Sequence, residues 1–467
     1  MKFSSKKVRE EWLKCSRSPL YFINRYVYIE SAIEGEWVRF DMWPAQGYVI
    51  KQLMEHLKFV ILKARQLGQT WLLLAFCLWL MLFRPIAAIG LFSRREEEAI
   101  DLLDRRMKGM YKRLPDWMRA RAIAVDSKKH WQLSNGSWAR AFPTNTGDSY
   151  TFTMVLVDEA DLSPDLDTLL GAVKPTVDAG GWLILLGRSN KKEPNSTFKN
   201  IYRAAKAKSN GYRPIFLPWH ARPDRTPEWY AQQVNDSKAD TGSLDYVYEQ
   251  YPAKDVQALS PRSLDKRIPP AWLEQCYVEM EDIEDPHAPS IPGLFIYRPP
   301  EDGHTYVIGA DPAEGNPTSD DSSFTVCDRD TGEEVASLAG KVQPSTFASY
   351  LDMVGLYYHN ANILVERNNH GHAVILWLHD NSALFVLPGH DGKPGWLSNS
   401  KGKSLMYNTA ADAFHDNDAV IHHFETYMQL ASIEGSSLRA PEGAHDDRAD
   451  SYALAQQART LEMWVMF

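Results

Sequence analysis

Residues 59–76 read FVILKARQLGQTWLLLAF. FVILK (59–63) is a run of apolar residues closed by a lysine, the pattern of a strand buried on both faces. The loop ARQLGQT leads into an apolar run from Trp71 to Phe83. Strand, short loop and helix are the context in which a phosphate-binding loop works. The unpaired N–H groups and the dipole of a helix N-terminus attract an anion. Gly68 lets the backbone approach closely, and Thr70 places a hydroxyl for a Mg2+ ion. Such a loop usually carries Lys just before that Thr. Here Gln69 holds the position, and Lys63 lies at the loop's other end. A loop that curls around a triphosphate brings its first residue to the same oxygens, so Lys63 is the candidate cation. Arg65 is a second, able to fork onto phosphate oxygens. A plain strand–turn–helix with two solvent-facing cations explains these residues alone equally well.

A second stretch weighs against that plain reading. MVLVDEADL (154–162) ends an apolar strand with Asp158 and Glu159. Charged groups at the end of a buried strand are costly unless employed. In an ATPase, Asp158 would hold the Mg2+ shell and Glu159 would activate the attacking water. The alternative is a helix cap with acids in its first turn. DMWPAQG (41–47) offers Gln46, whose amide can read an adenine edge, beside Trp43. LILLGRSN (183–190) ends another strand near Ser189, a candidate for sensing the terminal phosphate.

IAAIGLF (86–92), TMVLVD (153–158) and WLILLG (182–187) join FVILK as expected buried strands. Helical patterns such as residues 94–113 lie between them. That alternation predicts a parallel α/β sheet. HWQLSNGSWARAFP (130–143) predicts a hairpin turning at Asn135-Gly136. Residues 251–302, rich in proline and holding the acidic run EMEDIEDPHAPSIP, read as a connection with little core of its own. A second sheet begins at TYVIGA (305–310), continues through SFTVCD (323–328), and returns as VASLAG (335–340). A helical stretch at 345–358 leads to NILVE (362–366).

Carboxylates mark that second sheet. Asp311 follows a strand, Glu366 ends another, and HDDRAD places Asp446, Asp447 and Asp450 at the start of a helix. Several carboxylates brought together repel one another, and divalent cations offset that repulsion. Mg2+ or Mn2+ prefers oxygen ligands, and two such ions can activate water and stabilise a phosphodiester's leaving oxygen. Helix capping by Asp446 and Asp447, and loop solvation by Glu314, Asp320 and Asp321, are the plainer readings. His370, His372 and His445 lie close in sequence to these acids and read as surface groups or supports for the acids.

The chain has 467 residues, 44% hydrophobic and 24% charged, the composition of a globular protein of two or three domains. Its four cysteines are far apart and form no C-x-x-C, which suits a reducing cytosol. The run from Trp71 to Phe83 is 13 residues, short of the roughly 20 a membrane span needs. Residues 1–250 carry 37 Lys and Arg against 28 Asp and Glu, a net of +9. Residues 251–467 carry 14 against 32, a net of −18. A basic half suits a polyanion, and an acidic half suits metal ions.

The order Gln46, KARQLGQT, MVLVDEA, LLGRSN, GADPAEG, LVERNNHG and HDDRAD resembles the large terminase subunit of tailed bacteriophages. The resemblance covers nearly the whole chain and is similar to the variant loop in which Lys comes first. It implies an α/β protein with an N-terminal P-loop NTPase parallel sheet flanked by helices and a C-terminal RNase H-like mixed sheet. It implies a motor domain at 1–225, a helical lid or linker at 226–290 and a nuclease domain at 291–467. ATP would bind through Gln46, Lys63, Arg65, Gly68, Gln69 and Thr70. Thr70 and Asp158 would hold Mg2+, Glu159 would be the catalytic glutamate, and Ser189 would lie in the coupling motif. Asp311, Glu366 and Asp446 or Asp447 would hold Mg2+ or Mn2+, in all two ions; the residues leave the choice of inner ligand between Asp446 and Asp447 open, with Asp447 taken first. Relatives carry an Arg-Gly before the second motif's strand. This chain has Gly147-Asp148 there, so Arg140 is the nearest stand-in for an arginine finger.

The implied partners are double-stranded DNA, a portal protein, a small terminase subunit and further copies of the chain in a ring, with no membrane. The implied location is the host bacterial cytoplasm, docked on a procapsid during packaging. Three competing readings are a helicase-like remodelling ATPase with an inactive second domain, a transposase- or resolvase-type nuclease without a motor, and a non-enzymatic scaffold.

Overall fold

The computed structural model describes residues 6–31, 33–119, 122–142, 150–262, 266–441 and 444–462. The chain forms two compact units, Met1–Leu259 and Ser260–Phe467. Its strands in the first unit are β1 (Tyr28–Ser31), β2 (Glu36–Arg39), β3 (Lys58–Lys63), β4 (Ala88–Phe92), β5 (Ile123–Asp126), β6 (His130–Leu133), β7 (Trp138–Phe142), β8 (Met154–Asp158), β9 (Trp182–Gly187) and β10 (Arg213–Leu217). The main sheet has the order β10-β3-β9-β8-β4-β7-β6-β5. The six strands from β10 to β7 run parallel, and β6 and β5 add an antiparallel edge.

The parallel core follows from composition. Strands β3, β4, β8 and β9 are built mainly of Val, Ile, Leu, Phe and Ala and are buried along nearly their whole length. Such strands are covered on both faces and read as continuous apolar runs. Strand β9 lies between β3 and β8. Its register sets Gly187 against Leu62 and Leu186 against Asp158. The C-terminal ends of three strands therefore share one edge, which carries Lys63, Arg188, Asp158 and Glu159. The apolar run after the loop is the helix Gln69–Phe83, whose residues from Leu72 to Leu82 are all buried. Among the described residues, no helix is long and apolar enough to cross a membrane.

The expected helix at 94–113 is present as Glu96–Asp101 and Lys108–Lys112, joined by a wider π-helical stretch at Leu102–Met107. The hairpin at Asn135-Gly136 is formed by β6 and β7, and Asn135 Nδ2 donates to Met81 O at 3.0 Å.

The second unit holds β11 (Phe295–Ile296), β12 (Tyr306–Asp311), β13 (Ser322–Asp328), β14 (Glu334–Gly340) and β15 (Asn362–Val365). Their order is β11-β14-β13-β12-β15. An antiparallel meander β12-β13-β14 leads through helix Pro344–Tyr357 to β15, which lies parallel to β12. A three-strand meander flanked by a parallel strand after a helix is the RNase H-like arrangement. The helix Asp447–Thr460 lies on this sheet at Gly309. A Cβ added there would stand 2.2 Å from both Ala455 N and Ser451 O. Ser323 Oγ and Ser451 Oγ, 2.9 Å apart, tie the same helix to β13.

Residues 251–302 differ from the expectation of a connection without core. Val256, Ala258 and Leu259 on helix Asp255–Leu259 are fully buried in the first unit, and Ile268 and Leu273 are fully buried in the second. The stretch 226–290 is divided between the units. Helices Pro227–Thr241, Asp245–Gln250 and Asp255–Leu259 fall in the first, and Pro270–Gln275 falls in the second.

The close approach at Gly309 gives a direct test. Gly309→Val should destabilise the second unit by roughly 3 kcal/mol, since backbone atoms rather than flexible side chains stand in the way. Denaturant unfolding measures this, and an unchanged midpoint would contradict the helix placement.

Candidate functional site

The loop between β3 and its helix is shaped by two left-handed residues, Gln66 (φ 61°) and Gly68 (φ 66°). Gly68 has no room for a side chain: an added Cβ would lie 2.7 Å from Gln46 Nε2. Gln46 is buried and braces the loop. Its Nε2 donates to Leu67 O at 3.0 Å, and its Oε1 accepts from Trp43 N at 2.9 Å. Those bonds leave one N–H and one lone pair of the amide for a nucleobase. Arg65, exposed, donates from its backbone N to Gln250 O at 2.8 Å and from Nη1 to Gln250 Oε1 at 3.3 Å.

Lys63 is buried, 6% exposed, and its Nζ lies 3.8 Å from Glu159 Oε1. It therefore turns toward the acid pair and not to solvent. Thr70 Oγ1 donates to Asp158, 3.1 Å from Oδ1 and 3.3 Å from Oδ2. Burial, and then the neighbouring Glu159, push the Asp158 carboxyl up to about 6, while Lys63, Thr70 and Arg106 oppose the shift. Glu159 is held at φ 52°, a left-handed position rare for a glutamate. Gln69 is buried, and neither its Oε1 nor its Nε2 has a hydrogen-bond partner. The Gln69 amide lines neither of the cavities that meet the loop.

Two cavities meet the loop. One, of about 700 Å³, is lined by Trp43, Gln46, Gln66, Gly68, Trp71 and Arg222, among others. The other, of about 480 Å³, is lined by Thr70, Arg94, Arg106, Asp158, Glu159 and Arg188, among others. The first has the aromatic character a base needs, and the second the cations and acids a phosphate and its metal need.

Ser189 is buried and donates to Ala258 O on helix Asp255–Leu259. Beside it lies a fully buried pair, Asp161 and Lys199, at 3.6 Å. Asp161 also accepts from Asn190 N at 2.6 Å and from Ser196 Oγ. The DEAD stretch after β8 is thereby fastened to the segment after β9. Residues 147 and 148 lie outside the described residues. Arg140 donates to Tyr150 Oη at 2.6 Å and packs over Trp138. It does not line either cavity.

In the second unit, Asp311 at the end of β12 is raised well above its ordinary value. Burial is the main cause, followed by Glu366, Asp450 and Asp447. Glu366 follows β15 and accepts from Asn368 Nδ2 at 3.4 Å. Asp446 occupies the N-cap position of the last helix without a side-chain bond to that helix, and its Oδ2 accepts from Ala440 N at 3.2 Å. Asp447 is buried, and burial pushes it up to about 7, opposed by a hydrogen bond from the Asp321 backbone and helped by the charges of Asp320 and Asp321. His445 Nδ1 stands 3.8 Å from Asp447 Oδ2.

Asp450, one helical turn beyond Asp446 and Asp447, faces the same cluster. Burial raises it to about 6, opposed by Lys403 and Tyr407, which bond it at 2.8 Å and 2.5 Å. Its i+3 spacing from Asp447 puts it on the same helix face. The loop acids Asp320 and Asp321, read as solvated, press on Asp447. Burial is the main cause of the shifts at Asp311, Asp447 and Asp450, and carboxylate oxygens are donors that suit a hard divalent cation. The same holds for the Thr70 hydroxyl beside the Asp158 carboxylate.

The first site is defined by a strand–loop–helix with a cation and an acid pair on neighbouring strand ends. The second is defined by carboxylates on an RNase H-like sheet. No protein-family model and no curated protein matches the chain. Among solved structures, the large terminase of bacteriophage HK97 is similar over 95% of this chain and 99% of its own, at 14% identity and a TM-score of 0.43. The ATPase domain of the Thermus phage P74-26 large terminase matches 42% of this chain and 87% of its own, at 16% identity and a TM-score of 0.34. A magnesium-bound large terminase nuclease from thermophilic phage G20c matches 42% of this chain and 97% of its own, at 19% identity and a TM-score of 0.35.

The raised carboxyls give a pH prediction. Asp447 and Asp450 hold protons more tightly in the folded chain than in the unfolded chain. The stability they contribute is full below about pH 4 and is lost as pH rises through about 6 to 7. A divalent cation needs the ionised forms. The rise in Tm on adding Mn2+ should therefore be larger at about pH 8 than at about pH 5. An equal or smaller rise at the higher pH would contradict the cluster as a cation site.

Proposed function

We propose that the chain is a viral DNA-packaging motor, the large terminase subunit of a tailed bacteriophage, with ATP hydrolysis in the first unit and DNA cleavage in the second. The observation that carries this reading is the position of Lys63, turned inward toward Glu159 across the loop from Thr70 and Asp158. A strand end that gathers a cation, a hydroxyl and two acids has the groups a triphosphate needs. The motif order resembling large terminases points the same way.

Gly68 lines the cavity proposed for the base and Arg65 the one proposed for the phosphates, and Lys63 and Arg65 would supply positive charge to the phosphate oxygens. Thr70 and Asp158 would hold Mg2+, which supplies neutralisation of phosphate charge when bound. Glu159 orients the attacking water and takes its proton. Ser189, fastened to Ala258, lies where the strand end adjoins the last helix of the unit. Asp311, Glu366, Asp447 and Asp446, with Asp450 beside them, would hold Mg2+ or Mn2+ in the second unit. Ions there supply an activated water and charge for the leaving oxygen.

The motor would move double-stranded DNA into a procapsid, and the nuclease would cut concatemeric DNA. The contacts to DNA are mainly to phosphate, because a motor passing over many sequences cannot depend on base readout. The partners proposed are a portal protein, a small terminase subunit and further copies of this chain in a ring, in the cytoplasm of the host bacterium.

Paired substitutions separate the two activities. Lys63→Ala and Glu159→Ala should each lower DNA-stimulated ATP turnover by about 100-fold or more and leave Mn2+-dependent plasmid nicking in place. Asp311→Ala and Glu366→Ala should abolish nicking and leave ATP turnover in place. ATP turnover that survives both changes in the first pair would reject the motor. Nicking that survives both changes in the second would leave a remodelling ATPase without a nuclease.

A further inference from the structure

Arg188 follows β9 and lines the cavity that contains Thr70, Asp158 and Glu159. Its guanidinium stands between two carboxylates. Nη1 donates to Glu249 Oε1 at 2.8 Å, while Nε is 3.8 Å from Glu159 Oε2, too far for a hydrogen bond. That Glu159 oxygen is buried and has no hydrogen-bond partner. The other Glu159 oxygen is 3.8 Å from Lys63. Glu159 thus faces two cations and bonds neither.

Glu249 lies on helix Asp245–Gln250, which also reaches the phosphate loop. Its second oxygen accepts from Lys191 N at 3.3 Å. The next residue, Gln250, takes Arg65 N on its carbonyl and Arg65 Nη1 on its side chain. One helix end therefore holds both the start of the loop and the segment after β9.

We propose that Arg188 is a positioning residue with two alternative partners: Glu249 when no terminal phosphate is present, and the terminal phosphate of a nucleoside triphosphate when one is. Helix Asp245–Gln250 then distinguishes triphosphate from diphosphate. This rests on the nucleotide-site reading above. The side chains of the Arg188–Glu249 pair are only 18% and 21% exposed, so Arg188 leaves Glu249 only for a partner that replaces its charge. A terminal phosphate offers the same forked acceptor geometry as a carboxylate, with more charge. A ligand shifts such an equilibrium only by its preference for one arrangement, and a diphosphate lacks the group that would express one.

The test uses the full chain and measures affinity for a non-hydrolysable ATP analogue and for ADP, with amide hydrogen exchange over residues 245–250. Glu249→Gln removes the competing carboxylate and should raise the preference for the analogue over ADP by about threefold or more. Arg188→Ala should lower that preference by about tenfold, a change of about 1.4 kcal/mol. Glu249→Asp, which restores the charge, should return it toward wild type. In the wild-type chain, exchange over 245–250 should be faster with the analogue than with ADP. Equal changes in both affinities for Glu249→Gln and Arg188→Ala, or identical exchange with the two nucleotides, would overturn the proposal. If Lys63→Ala binds the analogue as tightly as wild type, the nucleotide-site reading fails as well. If Lys63→Ala loses binding and the two other variants leave the preference unchanged, this inference alone fails.

Discussion

A carboxylate at the end of a buried strand is stable only beside something that offsets its charge. Both units of this chain place such acids at strand ends, and much of the surrounding structure answers that constraint. In the first unit, Asp158 ends β8, is buried, and meets a hydroxyl from Thr70 and the field of Lys63. In the second, Asp311 ends β12 among Glu366, Asp447 and Asp450, with Lys403 the cation bonded within the cluster. The raised carboxyls of Asp158 and Asp311 are the residue of an offset that protein groups alone leave incomplete.

In the first unit, the proposed phosphate loop has its lysine at the strand end. Gly68 and Gln66 turn the backbone through left-handed positions, and Gln46 fixes the turn from behind. The place that usually carries Lys holds Gln69, whose amide is buried and unpartnered. Lys63 approaches from the strand side. The sheet order makes this possible: β9 between β3 and β8 brings Lys63, Arg188 and the acid pair to one edge. Anchors from beyond the sheet hold that edge, through Glu249 and Gln250 on the loop side and Ala258 behind Ser189.

The parallel strands were legible because a strand covered on both faces must be apolar throughout, as FVILK and WLILLG are. The hairpin was legible from Asn135-Gly136, and the second sheet's meander from its spacing. The course of Lys63 was left open by the loop residues alone, which fitted a solvent-facing cation equally well; the structure turns it inward to Glu159. What the sequence hid were partnerships that depend on distant segments meeting. Asp161 and Lys199 form a fully buried pair 38 residues apart. Glu249 gave no motif, yet its carboxylate holds Arg188. Asp450 stood in the same helical turn as Asp446 and Asp447, but its bonds to Lys403 and Tyr407 cross more than 40 residues. The prolines around 251–302 suggested a bare connection and concealed buried residues such as Val256 and Leu273.

The proposed motor depends on where one amine goes when a nucleotide arrives. A crystal structure with a non-hydrolysable ATP analogue and Mn2+ measures it most directly. Lys63 Nζ should lie within hydrogen-bond distance of the terminal phosphate oxygens, with Thr70 and Asp158 around the ion beside them. A nucleotide bound with Lys63 pointing away, and no other side chain cation on those oxygens, would contradict it.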